Sequence, residues 1–356
     1  MRGCASKLCV EFGVALARKS CYNNVETRKE TRRASGGSRL KKRIMSAHMK
    51  EADLIEALAK IHGTRPFETD AEAVSCGGAN LLVSTDSFSE REDFLGGMEP
   101  EAMGRAMAYG AIADILACGA MPSFLVQAWN VDEQHDAAFY VRAARGVQQV
   151  ASRYGAKIVG GDIGVAKEWC WTATVFASCA SPVRRVASRR ADFDLYSTGP
   201  LGAANAAVFL GRTIPEPQLR MPVPSIALFA TDTSGGLFDA LENFRRANPG
   251  MWLEVDADRA VASDVAHDLP DGVNPGWALV GGVGESELAF AVPRGERVVG
   301  ALKIGTGGFA QGRDGEITIA SGGKSGRMSS PPPDYRAIVP QDWLKATAEY
   351  WASLGM

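Results

Sequence analysis

Four apolar runs in this chain each close on a single aspartate. LLVSTD ends at Asp86, AYGAIAD at Asp114, AKIVGGD at Asp162 and IALFATD at Asp232. An apolar run must be buried, so its last residue is delivered to the rim of a core. A carboxylate there, unpaired and out of water, costs on the order of several kcal/mol or surrenders its charge. Taken singly, each has an ordinary reading as a cap or turn residue at the end of an element. Taken together they have another. Ligands of α/β architectures collect at strand ends, and carboxylates converging there repel one another unless divalent cations lie among them. Oxygen ligands without thiolate or imidazole point to Mg²⁺, which favours a few carboxylates plus phosphate oxygens. Such a cluster implies a bound nucleotide.

The chain has 356 residues, 46% of them apolar, enough for two domains with their own cores. No run approaches the roughly 20 apolar residues of a membrane span. Seven scattered cysteines without a CxxC pair read as buried thiols in a reducing, cytoplasmic compartment, and four isolated histidines argue against zinc. Residues 1–44 hold twelve Lys and Arg against three Glu, a charge of +9 that leaves −11 for the rest of a chain whose total is −2. The segment reads as a disordered extension, with Met45 or Met49 as an alternative start and an organelle leader as the other reading. Its two aromatics, Phe12 and Tyr22, do not alternate with the basic residues, so no nucleic-acid partner is expected.

Periodicity predicts a helix at KEADLIEALAKIH and a long helix from Glu99-Pro100 to Gly119, ended there by glycine and Pro122. A further helix is expected from an Asp132 cap to Gly155. Strands are expected at NLLVSTD, AKIVGG, WTATVFASCA, FDLYSTG, Ser225 to Asp232, MWLEVD, SELAFAVP and EITIAS, with helices at LGAANAAVFLG and Gly235 to Ala247. Ser181 to Asp192, polar and Arg-rich, reads as a domain junction. Strands and helices mix without strict alternation, which favours α+β. SGGKSG at Ser321 to Gly326 is a poor phosphate loop, because Thr318 stands where its first glycine belongs and prolines follow instead of a helix. GTGGFAQGRDG, Gly305 to Gly315, reads as a flexible turn.

LLVSTD, AIADILACGAMP, YGAKIVGGD, DLYSTGPLG and ATDTSGGL follow one another in an order and spacing that resemble thiamine-monophosphate kinase and the wider aminoimidazole ribonucleotide (AIR) synthase-related superfamily. The resemblance covers about Phe67 to Pro293. It implies two α/β domains: an N-terminal domain with a mixed sheet that forms a dimer interface, and a C-terminal α/β sandwich closing over ATP. The boundaries it suggests are a basic extension at 1–48, domains at 49–182 and 183–328, and a Pro-rich tail with a short helix at 329–356. It implies that Asp86, Asp114, Asp162 and Asp232 bind Mg²⁺ with Asp70 assisting, Asp114 and Asp232 being the catalytic pair. Gly160, Gly161, Ser234, Gly235 and Gly236 would touch ATP. Asp93, Glu285 and Glu287 would face the acceptor. The expected activity is phosphoryl transfer from ATP to a phosphate-bearing small molecule by a cytoplasmic homodimer.

Departures from the family pattern keep alternatives open. Ala71 replaces the second acid of Gly-Asp-Asp. Ile163, Gly164 and Val165 replace the hydroxyls and arginine after Gly-Gly-Asp, and Gly235 replaces the second acid of Asp-x-Ser-Asp-Gly. One alternative is a homodimeric relative that has lost the kinase activity. Another is ATP-driven activation of an amide or carbonyl oxygen.

Overall fold

The computed structural model describes residues 51–356 apart from 91, 94, 96, 270–272, 334–337 and 339. The basic extension expected at 1–48 lies outside them. The chain order is α1 (Glu51–His62), β1 (Glu72–Cys76), β2 (Ala79–Ser89), α2 (Pro100–Ala117), β3 (Pro122–Val131), α3 (Ala137–Arg153), β4 (Lys157–Val165) and β5 (Cys170–Ser178). After the junction come β6 (Phe193–Ser197), α4 (Ala203–Phe209), β7 (Phe229–Asp232), α5 (Leu237–Ala247), β8 (Met251–Asp256), α6 (Ala257–Ala260) and α7 (Ser263–Asp268). A 3₁₀ turn at Pro275–Val280, β9 (Leu288–Pro293), β10 (Leu302–Phe309), β11 (Glu316–Ser321), β12 (Lys324–Arg327) and α8 (Pro340–Ser353) complete it.

Two sheets result. The N-terminal one has the order β1-β2-β5-β3-β4 and the C-terminal one β12-β11-β8-β10-β6-β9-β7. Both are mixed: β3 and β4 run parallel, as do β8 and β11, and every other pair is antiparallel. This is the α+β, two-sheet architecture expected.

α2 is the element that places the site. It is apolar on every side, so it must be covered on every side. One side packs on β2 and β5, another on α3, and a third meets β7 and β9 of the C-terminal sheet. One core therefore runs from Leu82, Trp171 and Val175 through Met107 and Ile112 to Leu288 and Phe290. Glycines set the α2–α3 spacing, because a Cβ on Gly104 would lie 1.9 Å from the Ala143 carbonyl oxygen and one on Gly146 2.0 Å from that of Glu101. Pro100 opens α2, and Gly119 in the left-handed region (φ 78°) closes it, as the sequence implied.

Two expectations need correction. The helix after Asp132 begins at Ala137 and is capped by Asp136, whose carboxylate accepts from the Phe139 amide. Asp132 instead gathers the end of β3. Its carboxylate accepts from the Gln134, His135 and Trp169 amides and the Tyr140 hydroxyl. Gly305 to Phe309 is no flexible turn but the second half of β10, between β8 and β6. Its glycines fit a crowded sheet: a Cβ on Gly307 would stand 2.3 Å from Phe193 Cζ. The tail helix α8 forms as expected, and Leu344, Tyr350 and Trp351, with Leu354 just after it, enter the C-terminal core. Ser321 to Gly326 is the β11–β12 hairpin, turning at Gly322 and Gly323 with φ of 56° and 75°.

Candidate metal and nucleotide site

Three aspartates from three elements meet at the junction of the domains. Asp70 precedes β1, Asp114 lies in the last turn of α2, and Asp232 ends β7. One oxygen of each lies within 4.8 Å of the others. Asp86 stands beside them on β2, on the face that carries Leu82 and Ser84 toward α2, and its charge acts on Asp114.

The electrostatics are those of crowded anions. Burial first, then the charges of Asp232, Asp86 and Asp70, hold the Asp114 carboxyl well above the usual carboxylate range. The Ser84 hydroxyl opposes this by donating to Asp114 Oδ2 at 2.5 Å. Burial also pushes Asp70 up to about 6, against the pull of Arg185. Arg185 donates to Asp70 Oδ1 through Nη2, and Thr231 donates to the same oxygen at 2.8 Å. Asp70 Oδ2 is buried and has no hydrogen-bond partner. Three converging carboxylates, with an unsatisfied oxygen among them, fit a hard divalent cation.

The turn after Asp232 is tightly built. Asp232 Oδ2 accepts from the Ser234 amide at 3.1 Å, and the Thr233 amide donates to the Glu287 carbonyl at 2.8 Å. Gly284 crosses so closely that a Cβ would fall 1.5 Å from the Thr233 carbonyl oxygen. Ser234, Gly235 and Gly236 lead directly into α5, whose N-terminus has no side-chain cap. Ser234 gives its amide to Asp232 and Gly236 gives its own to the Thr233 carbonyl at 2.8 Å, so the amides suited to phosphate oxygens are those of the first turn of α5.

Other predicted site residues lie elsewhere. Asp162, Gly160 and Gly161 are on β4, an exposed edge strand. Register decides the outcome for Asp162. The row Asp86–Ala173–Gln127–Gly161 faces the helices, whereas Asp162 belongs to the next row, with Ala128, Thr172 and Ser87, on the opposite face. Asp162 therefore does not join the cluster. Asp93 accepts from the Ser89 amide at 2.7 Å in the turn after β2. Glu285 accepts from the Ala204 amide at the start of α4, and burial pushes its carboxyl up to about 7. Glu287 is buried, receives Arg220 through Nε and Nη2, and accepts from the Thr198 hydroxyl at 2.5 Å. Both glutamates are engaged inside the protein.

Sequence reasoning passed over Ser84, Arg185 and Thr231. Ser84 was legible in principle, two residues before Asp86 and so on the same strand face. Arg185 was hidden in a stretch read as linker.

Two mixed sheets around a shared buried helix, with carboxylates converging where the layers meet, define an α+β architecture of two sheets with an acid cluster at their junction. Residues 68–179 match the family described as AIR synthase related protein, N-terminal domain. The chain is 27% identical over 262 residues to the thiamine-monophosphate kinase of Pyrococcus horikoshii, covering 69% of this chain and 83% of that one. It is 29% identical over 259 residues to that of Methanospirillum hungatei, covering 68% and 86%. The likeness to the Archaeoglobus fulgidus enzyme is higher, 31%, but spans only 122 residues, 33% of this chain and 40% of the relative. Among solved structures, AaThiL complexed with AMPPCP and TMP superposes with a TM-score of 0.66 at 20% identity, over 77% of this chain and 94% of that one. A hydrogenase maturation protein, HypE, in complex with ATP superposes at 0.59 and 18% identity, over 82% and 98%. Residues 68–179 thus form a domain of the AIR synthase-related type, and the rest of the chain continues the fold of the superposed structures.

Proposed function

We propose that this chain is an ATP- and Mg²⁺-dependent phosphotransferase of the thiamine-monophosphate kinase type. One observation carries the reading: Asp70, Asp114 and Asp232 converge beside the open start of α5. The curated relatives of similar length bear that name, and one structural neighbour was solved with AMPPCP, an ATP analogue, and TMP. Asp70, Asp114 and Asp232, with Asp86 beside them, would hold Mg²⁺. Mg²⁺ when bound supplies charge neutralisation at phosphate oxygens. The amides of the first turn of α5 orient the phosphate chain, the Ser234–Gly236 turn sets the direction of that helix, and the Ser84 hydroxyl fixes the rotamer of Asp114. Phosphoryl transfer is mostly positioning and neutralisation, so no protein nucleophile is required. Thiamine monophosphate is the first acceptor to test. Incubation with ATP, Mg²⁺ and that acceptor should yield ADP and a phosphorylated acceptor. ADP with free phosphate instead would point to activation of an amide or carbonyl oxygen.

The working unit is a homodimer. Thr85, Thr174, Ser87, Thr172 and the stacked rings of Phe124 and Phe176 lie on the N-terminal sheet face that α2 and α3 leave uncovered. Val159, Ile163 and Val165 add exposed apolar surface along the β4 edge, at 58%, 74% and 78%, with Ile163 and Val165 on the face of Gly161. A second copy on the uncovered face buries its threonines and rings, and sedimentation velocity at micromolar concentration reads it directly. The free cysteines at 76, 118, 170 and 179 suit a reducing, cytoplasmic setting. Ala71, buried where the family carries an acid, together with the outward Asp162, favours one second reading, a dimer that binds metal but turns over slowly or not at all. Calorimetric titration with an ATP analogue, with and without Mg²⁺, separates binding from turnover.

A further inference from the structure

Arg185 is held inside the carboxylate cluster by its backbone as well as its side chain. Its amide donates to the Glu68 carbonyl at 3.1 Å, and its own carbonyl accepts from Asn248 Nδ2 at 2.8 Å. From there the side chain, 17% exposed, reaches Thr231 Oγ1 through Nε at 3.0 Å and Asp70 Oδ1 through Nη2. A guanidinium keeps its charge at any working pH. Its field extends past Asp70 to Asp232 and Asp114.

The geometry divides Asp70 into two halves. Oδ1 is saturated by Arg185 and Thr231, while Oδ2 is buried without a partner on a residue that shares the acid cluster. We propose that Arg185 is a resident cation of this cluster: it takes one oxygen of Asp70, leaves the other as a single-oxygen metal ligand, and weakens the hold of the cluster on a divalent ion arriving without nucleotide. Arg185 is thus a positioning residue, and the site takes its metal with the phosphate-bearing ligand rather than alone. Two positive charges compete for one set of carboxylates, and the permanent one sets the terms for the exchangeable one. The inference rests on the metal-binding reading of the preceding section.

The test is titration of the full chain with Mn²⁺ alone, following free Mn²⁺ by its electron paramagnetic resonance signal. Arg185→Gln should bind Mn²⁺ about tenfold more tightly than the unaltered protein, and Arg185→Lys, which keeps the charge, should stay within about threefold. Equal or weaker binding by Arg185→Gln overturns the proposal. If Arg185→Gln does not fold without metal, Mn²⁺ should restore its circular dichroism and raise its melting temperature more than that of the unaltered chain. Failure of Mn²⁺ to rescue it also overturns the proposal. Absence of Mn²⁺ binding by the unaltered chain even with an ATP analogue present would remove the metal-site reading along with this inference. Normal binding there with no change in Arg185→Gln would remove only the role of Arg185.

Discussion

Asp114 and Asp162 come from the same kind of sequence, an apolar run closing on one aspartate, and end in opposite surroundings. Asp114 is carried by a helix wrapped by both sheets and meets two other acids from distant segments. Asp162 is carried by an edge strand and faces away from them, because strand registers alternate by single residues. The comparison teaches that an apolar run announces burial of a segment but not the direction of its last side chain. Asp114 inherits its direction from the packing of α2, and Asp162 from the parity of one strand pair.

The largest effect should come from the convergent side. Asp114→Asn should lower ATP turnover by roughly 10²-fold or more with unchanged circular dichroism, since metal charge stabilisation is worth several kcal/mol. Full activity in that variant would dissolve the distinction between the two aspartates. Glu285 comes next. Its carboxyl, pushed up to about 7 by burial, favours the protonated form in the fold, so its penalty is absent below its unfolded value near 4.5 and complete above about 7. Glu285→Gln should therefore gain stability over the unaltered chain as pH rises through that window, by roughly 3 kcal/mol in denaturant titrations. A difference that does not vary with pH would show that the carboxyl is not held in a desolvated state. Ser84→Ala removes the hydroxyl that orients Asp114 and should weaken Mn²⁺ binding roughly tenfold. The smallest effect belongs to the outward side: Asp162→Asn should leave Mn²⁺ affinity within about twofold of the original. A loss matching that of Asp114→Asn would mean that a second copy carries Asp162 to the cluster.

Much of this was legible in the sequence. The bounds of α2 followed from Pro100 and Gly119, and the strands carrying Asp86 and Asp232 from their apolar runs. The resemblance found Asp70, which no periodicity marks. Two kinds of information were hidden. Gly305, Gly307 and Gly308 look like a loop because their need for smallness comes from Phe193, Trp252 and Glu254, far away in sequence. Arg185 looks like a linker residue because its role depends on Thr231 and Asp70, 46 and 115 positions distant. Local pattern specifies elements, whereas partners across the fold specify which side chains the site can use.

The junction segment that bears Arg184 and Arg185 is stitched to Glu68 on one side and to Ala230 and Asn248 on the other. Its geometry makes the carboxylate cluster a gauge of how the two halves are docked. Any hinge that parts them pulls Asp70 and Asp114 away from Asp232 and dismantles the pocket at once. Neither half expressed by itself should retain the ion, while mixing the two separately produced halves should restore it only as fast as they reassociate.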